Sequence, residues 1–187
     1  MSQINQVIRN RKSVYPPQYI DKPIPREIIE ELLENANHAP THRLTEPWRF
    51  KVFLGEGKKR LGDFLAEKYR ETVTEFVPAK FEKIKVNPTK AGAVIAIILH
   101  RDPEERIPEW EETASVACAV QNMWMSCSQY GLGGYWSSPD LADYLGELTK
   151  LKENEKCLGF FYLGYCDQND RIVKKKPVEE KVSWVLS

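Results

Sequence analysis

The side chains best suited to bind an anion stand at the end of the first predicted helix. Arg9, Arg11, Lys12 and Ser13 all fall between positions 9 and 13. A guanidinium offers a fork of N–H donors that matches a phosphate group, and a hydroxyl adds a further donor. The same cations would also interact favourably with the C-terminal end of a helix dipole. Two interpretations therefore stay open, an anion clamp and a solvated basic helix end.

A second polar segment is the proline-bounded loop that contains His38, His42 and Trp48. Functional groups concentrate on rigidly held loops, so this loop could face a cofactor or substrate. Alternatively, it is a surface loop that Trp48 anchors to the core. The two histidines have the spacing of a helical zinc pair, but Pro40 breaks the helix between them. We therefore expect no metal site here.

A third segment joins a polar position in an apolar helix, Gln121, to the glycine-rich run 131–134 and then to Trp136, Ser137 and Ser138. Glycines let a flat ring approach the backbone closely. Backbone N–H groups there could stabilise the negative charge that develops on a flavin ring during reduction. The alternative is a helix C-cap followed by a turn into a short strand.

A fourth segment, Lys174 to Lys176, lies before Pro177 in the C-terminal tail. A solvated run of charges is the default interpretation of such a cluster. The alternative is a second set of phosphate donors.

Other cofactor and nucleophile motifs are missing from the sequence. No G-x-G-x-x-G follows a predicted strand, which argues against a Rossmann nicotinamide site. The Gly55–Lys59 segment lacks the spacing of a phosphate loop and reads as a turn. No G-x-S-x-G is present, and no cysteine has the setting of a catalytic nucleophile.

Helices and strands alternate without regular βαβ order, which favours an α+β fold with a central mixed sheet between helices. The continuous apolar run 93–99 predicts a central strand buried on both faces. Segments 49–54 and 157–165 predict further strands. Helices are expected at 3–10, after Pro25, from Leu61 to Pro78, before Leu148 and, as the longest, at 111–130, which is apolar nearly all round.

Composition limits the function classes. With 187 residues, one domain over 1–187 is expected, with 166–187 as a tail. The 27 basic and 27 acidic residues balance, which argues against broad binding to nucleic acid or an anionic membrane. No secretory signal or membrane span is evident. The four cysteines form no Cys-x-x-Cys pair and read as reduced and mostly buried, as in a cytoplasmic protein.

Taken in order, these segments resemble the nitroreductase family, and specifically its small single-domain members. The resemblance covers nearly the whole chain and rests on separate segments that keep the family's order: Arg11-Lys12-Ser13, Ala39-Pro40, Pro47-Trp48-Arg49-Phe50, residues 117–122, residues 131–136, residues 159–164 and the basic tail before Pro177.

The resemblance implies a homodimer built on the long central helix, with FMN bound at the interface by both subunits. Arg11, Lys12 and Ser13 would hold the phosphate, ribityl chain and pyrimidine edge, and Lys175 would support the phosphate. His38 and His42 would reach FMN from the partner subunit. Gln121 also belongs to the implied cofactor site. Trp136, Ser137 and Ser138 would line the reactive edge, and the tail would pack on the partner.

The implied activity is ping-pong transfer of hydride from NAD(P)H through flavin N5 to an electron-poor acceptor, such as a nitroaromatic or quinone. Two positions depart from the family pattern. Lys12 replaces an arginine and loses its bidentate fork, and Ser137 stands where related members have Arg. Rival functions are other flavin chemistry on the same scaffold, such as dehydrogenation or dehalogenation, and a flavin-binding protein without turnover.

Overall fold

The computed structural model describes residues 2–167 and 173–186. The helices are α1 (Gln3–Asn10), α2 (Arg26–Asn37), α3 (Glu56–Thr72), α4 (Pro78–Lys90), α5 (Glu109–Ser126) and α6 (Leu145–Leu148). The strands are β1 (Trp48–Phe53), β2 (Ala93–His100), β3 (Leu132–Ser137) and β4 (Glu155–Tyr165). Short 3-10 turns lie at Pro16–Gln18, His42–Leu44, Cys127–Tyr130, Asp140–Tyr144 and Val178–Lys181.

The strands form one sheet in the order β1-β2-β4-β3, and neighbouring strands are antiparallel. A parallel bridge between Ser13 and Gly134 extends the sheet beyond β3. Helices cover both faces of this sheet, which confirms the predicted α+β class.

Strand β2 explains why the sheet needs helices on both sides. All its residues from Ala93 to Leu99 are buried. Ile95, Ile97 and Leu99 pack in the cluster with α2 and α5, whereas Val94, Ala96 and Ile98 pack with α3 and the turn before α6. Successive side chains of a strand point to opposite faces, so a continuous apolar run suits a strand covered twice.

The sequence prediction was wrong in the region after β1. It placed one helix from Leu61 to Pro78, but α3 ends at Thr72 and a second helix, α4, begins at Pro78. Proline is well tolerated at the first helical position, where its missing N–H costs nothing. Pro88, inside α4, hid this helix because proline normally interrupts a helical pattern.

The chain turns at Pro16–Gln18, shortly before α2. The side chain of Gln18 accepts a hydrogen bond from the N–H of Tyr15 at 3.0 Å and closes this turn. All four cysteines are free thiols, and only Cys118 is exposed. Within the described residues, every helix is too short or too polar to cross a bilayer. Of the predicted tail, residues 168–172 and 187 lie outside the described residues.

Candidate active site

The N-terminal segment lies along the free edge of the sheet. The backbone N–H of Val14 donates to the carbonyl of Gly134 at 3.0 Å, beside the bridge from Ser13. A Cβ atom on Gly133 would lie 2.6 Å from Cβ of Val14, so this position has no room for a side chain. The basic segment Arg11–Ser13 is thereby fixed beside β3.

A second close approach positions the end of β3. Gly159 has φ +129°, and a Cβ added there would lie 2.3 Å from the carbonyl oxygen of Ser137. The indole N–H of Trp136 also donates to the carbonyl of Leu158 at 3.3 Å. The segment Trp136–Ser138 is therefore held tightly against β4, on the same edge as Ser13.

The cationic end of this edge combines Arg11 and Lys12 with a buried indole N–H that has no hydrogen-bond partner among the described residues. The guanidinium of Arg11 lies 4.4 Å from the centre of the Trp124 ring. Trp124 Nε1 is buried and has no hydrogen-bond partner among the described residues. Lys12 is close enough to Cys166 for its charge to oppose the rise that burial causes in the pKa of that thiol. A small cavity of about 30 Å³ separates these side chains.

The other end of the same segment borders a much larger cavity. This cavity has a volume of about 840 Å³, and both Tyr15 and Ser137 line it. The ring centres of Tyr15 and Tyr135 are 4.6 Å apart. Since an extended chain rises about 3.3 Å per residue, Arg11 and Tyr15 are separated by roughly 13 Å along the edge. The edge thus offers cationic donors at one end and an aromatic cavity at the other.

The two histidines lie on a different part of the surface, beside α5. His42 Nδ1 is 2.6 Å from Oε2 of Glu111, which is in the first turn of α5. His38 Nε2 is 3.2 Å from Oε1 of Glu34. The side chains of His38 and His42 are 75% and 57% exposed, so both remain accessible to a second molecule.

The loop that carries His42 has an unusual backbone. Arg43, Leu44 and Glu46 have φ values of 52°, 54° and 43°. Residues other than glycine rarely adopt such angles, and each costs about 1–3 kcal/mol. The Thr41 hydroxyl compensates in part, because it accepts a hydrogen bond from the N–H of Glu46 and contacts the Thr45 hydroxyl. Strain of this kind is concentrated at functional sites.

Polar contacts fix the end of α2, and hence His38, against α5. The side chain of Asn35 donates to the Ser126 hydroxyl at 3.1 Å, and the side chain of Asn122 donates to the carbonyl of Asn35 at 3.2 Å. His38 lines a cavity of about 580 Å³ together with these groups. The loop is fixed from its other side by Trp48, whose indole N–H donates to Asn37.

The apolar pattern of α5 did not reveal its outward face. The sequence predicted a helix that is apolar nearly all round, but Ala114, Cys118 and Gln121 are exposed. Their spacing of four and three residues places them on one face of the helix. Alanine and cysteine contribute to an apolar pattern whether or not they are buried, so the pattern alone could not predict that this face is exposed.

The structure brings Arg11, Lys12 and Ser13 to the same sheet edge as Trp136, Ser137 and Ser138. It does not bring His38 and His42 to that edge, since both histidines border the surface of α5, where Gln121 is also exposed. Lys175 is exposed in the tail.

Apart from Ser137, sequence reasoning missed the residues that line the large cavity. Tyr135, Tyr162 and Asn87 come from β3, β4 and α4, and their positions in sequence gave no sign that they meet. Tyr15 offered a weak signal. It lies two residues after Ser13, and alternate residues of an extended segment share a face.

Comparisons with known proteins agree with this architecture. The family model described as "Nitroreductase family" matches residues 8–165. The Bacillus subtilis protein YfhC, provisionally named an NAD(P)H nitroreductase, is 26% identical over 96% of this chain and 93% of its own length. A nitroreductase-like family protein from Bacillus cereus superposes with a TM-score of 0.84 at 26% identity, covering 100% of this chain and 98% of that one.

A more distant solved structure is informative about fold. The FMN-dependent nitroreductase NfnB from Mycobacterium smegmatis, crystallised in complex with NADPH, superposes with a TM-score of 0.78. It is 16% identical, and the match covers 98% of each chain.

Proposed function

Because this chain belongs to the nitroreductase family, we propose that it is an FMN-dependent oxidoreductase that uses NAD(P)H to reduce an electron-poor acceptor such as a nitroaromatic or quinone. The observation that carries the proposal is the bridge between Ser13 and Gly134, which aligns the phosphate-binding chemistry of residues 11–13 with the Trp136–Ser138 segment. Relatives named for NAD(P)H and the NADPH-bound NfnB support this assignment.

The donor set at the cationic end fits a ribityl phosphate. Arg11 can turn its guanidinium fork from the Trp124 ring towards a phosphate, and Lys12 adds a second positive charge. The Ser13 hydroxyl is half-buried at the edge, where it can bond to the ribityl chain. Lys175 would approach the phosphate from the tail.

The ring end fits the polar edge of a flavin. Ser138 follows the last residue of β3, and its N–H has no backbone acceptor among the described residues. An unused N–H next to the ring can stabilise the negative charge that accumulates on reduction. When bound, FMN would supply the redox chemistry of a ping-pong cycle between NAD(P)H and the acceptor. Ser13 and the Trp136–Ser138 segment would hold and orient it.

We also propose that the active unit is a homodimer in which α5 packs against its counterpart. Ile4 and Ile8 of α1 are 64% and 48% exposed, and Trp184 and Leu186 of the tail are 83% and 88% exposed. Ile4 and Ile8 lie four residues apart on one face of α1, and exposed apolar side chains grouped in this way favour an interaction site. In this arrangement the partner's His38 and His42 complete the flavin site, Gln121 lies at the interface, and the tail packs on the partner. The proposed location is the cytoplasm.

The test is titration of the apoprotein with FMN. Arg11→Ala should weaken binding about 10- to 100-fold, because a charge-assisted hydrogen bond contributes about 1.5–3 kcal/mol. Arg11→Lys should give an intermediate loss, since it keeps the charge without the fork. Arg60→Ala, on the exposed surface of α3, is the matched control and should bind as the wild type does. Unchanged affinity in Arg11→Ala would remove the phosphate role.

Measurements of turnover and of flavin reduction distinguish the rival functions. Steady-state rates with nitroaromatics, quinones and oxygen distinguish acceptor reduction from dehydrogenation or dehalogenation on the same scaffold. Flavin that stays oxidised with both NADH and NADPH in the absence of oxygen would favour a binding protein without turnover.

A further inference from the structure

The large cavity at the ring end is lined in part by tyrosine side chains. It lies between α3, α4 and the β3 edge. Tyr135 and Tyr162 are stacked with their ring centres 6.2 Å apart and an interplanar angle of 28°. Tyr15 packs against Tyr135 from the N-terminal segment. Together these three rings present flat surface to any ligand in the cavity.

Two polar groups in the cavity wall lack a hydrogen-bond partner in the part of the chain that the structure describes. Tyr162 is only 7% exposed, yet its hydroxyl forms no hydrogen bond with the described residues. The buried hydroxyls of Tyr19 and Tyr69, in contrast, are bonded to backbone groups. Asn87 is half-buried and its side-chain amide is likewise unbonded. Neither group is a fully buried polar atom, so both can donate hydrogen bonds to the oxygens of a ligand in the cavity.

The charged residues that line the cavity have a net positive charge. Lys80, Lys83 and Asn87 line it from one face of α4, at helical spacings of three and four residues. Neither lysine has a carboxylate within ion-pair distance in the described part of the chain, whereas Lys85 on the same helix pairs with Asp63 at 3.7 Å. Asp140 supplies one opposing charge to the lining. The net positive charge of this lining therefore favours an anionic ligand.

The cavity borders the proposed flavin site, because Ser137 lines the cavity and also belongs to that site. A ligand that stacks on the flavin can extend from Ser137 towards α4. Such a ligand would place a flat ring between tyrosines and its oxygens near Tyr162, Asn87 and the lysines.

We propose that this cavity is an acceptor subsite that selects aromatic substrates bearing a carboxylate, with Lys80 and Lys83 balancing the negative charge and Tyr162 and Asn87 binding its oxygens. This inference rests on the proposed flavin function for turnover, although ligand binding can be measured without turnover. Lys80, Lys83, Tyr162 and Asn87 act here as specificity-determining residues and take no part in the redox step.

The experiment compares two acceptors of similar shape, 4-nitrobenzoate and nitrobenzene. The wild type should have the lower KM for the carboxylate. In the double variant Lys80→Gln, Lys83→Gln that preference should fall about tenfold, while kcat and KM for nitrobenzene stay within about twofold. Tyr162→Phe should reduce the preference by a smaller factor, because it removes one neutral hydrogen bond. Lys90→Gln, exposed on the same helix and absent from the cavity lining, is the matched control.

Three results would overturn the proposal. An equal change in KM for both acceptors would mean that the lysines do not read the carboxylate. A rise in KM for NADH or NADPH alone would assign them to the nucleotide phosphates. A loss of bound FMN with the preference unchanged would assign them to the cofactor.

Calorimetry with benzoate keeps the test independent of turnover. The protein as purified should bind benzoate about tenfold more tightly than the double variant does, and should bind benzyl alcohol equally in both. If the wild type proves unable to oxidise NAD(P)H, the flavin function fails, but this binding difference still decides the subsite. Equal benzoate affinity in the two proteins would refute it.

Discussion

The two regions proposed to hold one flavin are built in opposite ways. The inner half, Arg11–Ser13 with Trp136–Ser138, is fixed by backbone pairing and by two glycine contacts against neighbouring strands. The outer half, His38, His42 and loop 41–46, is exposed and contains consecutive left-handed residues. An inner half can be recognised in a single chain. In the proposed dimer, the outer half can contact a flavin only when a second subunit supplies the inner half that holds it.

This difference explains why non-glycine residues with positive φ occur in the outer half and not in the inner half. A well-packed sheet edge has little freedom to store unfavourable backbone angles, whereas an exposed loop can keep them if its ends are fixed. Asn35, Asn122 and Trp48 fix those ends. The loop is thus pre-shaped without being covered, as expected of a surface that meets another protein.

The largest effect is expected from Gly159→Ala, which breaks the inner half. The added Cβ would meet the carbonyl of Ser137 at 2.3 Å, and φ +129° is unfavourable for alanine. We expect the free energy of unfolding to fall by about 2–4 kcal/mol and FMN to be lost on desalting.

Gly57→Ala is the matched control for this change. Its added Cβ would have only ordinary contacts with Phe53, at 3.9 Å, and alanine suits the interior of α3. Urea unfolding and flavin content measure both variants. A Gly159→Ala protein that is as stable and as yellow as the control would contradict the close-packed inner half.

The next largest effect is expected from Cys118→Arg, which breaks the link between the halves. A charged side chain on the outward face of α5 should prevent α5 from packing against its counterpart. We expect a folded monomer by analytical ultracentrifugation, with FMN affinity reduced at least 100-fold, since the outer half is lost. Glu82→Arg, exposed on α4, should leave both properties unchanged. A dimeric, flavin-bound Cys118→Arg protein would exclude this face as the interface.

A smaller effect is expected from Leu44→Gly, which relaxes the outer half. Glycine adopts φ 54° freely but also gains freedom in the unfolded chain, so stability should change by less than about 1 kcal/mol. FMN should dissociate several times faster, because the loop is no longer pre-shaped. Glu105→Gly, at φ 49° in another loop, should have a similar stability change with normal FMN release. Identical release rates would separate loop 41–46 from the flavin.

The smallest effect is expected for stability in acid. It concerns the loop that contains Glu105, which lies outside both halves of the proposed flavin site. Asp102 accepts hydrogen bonds from the Arg106 guanidinium and N–H, which lowers the pKa of its carboxyl to about 2. A lowered carboxyl pKa stabilises the fold above the unfolded value of about 3.9, and this contribution is lost as pH falls from there towards 2. Asp102→Asn should therefore show a weaker fall of Tm between pH 5 and pH 2.5 than the wild type. Parallel curves would exclude the contribution of Asp102.

The sequence predicted the elements with clear patterns. The apolar run of β2 and the periodic face of α2 appear as strand and helix in the structure. Helix α4 was missed because Pro88 and a weakly amphipathic pattern conceal it. The boundary of α3 was misplaced because Val73 and Phe76 continue the helical spacing after the helix has ended.

The site was predictable only in part, for a physical reason. Residues 11–13 and 136–138 were predicted to bind the cofactor, and backbone pairing brings the two segments together, while their binding role stays a prediction. The large cavity escaped because it is lined by several segments distant in sequence, and Tyr135 and Tyr162 read as ordinary strand residues. The placement of His38, His42, Gln121 and Lys175 around FMN remains a prediction, because it requires the partner subunit.

The most direct test of the flavin function is the visible absorption spectrum of the purified, desalted protein, recorded before and after addition of NADH or NADPH without oxygen. We predict the yellow absorption of oxidised flavin, with about one FMN per chain, and bleaching by at least one of the nucleotides. A colourless protein that also takes up no added FMN would contradict the central claim.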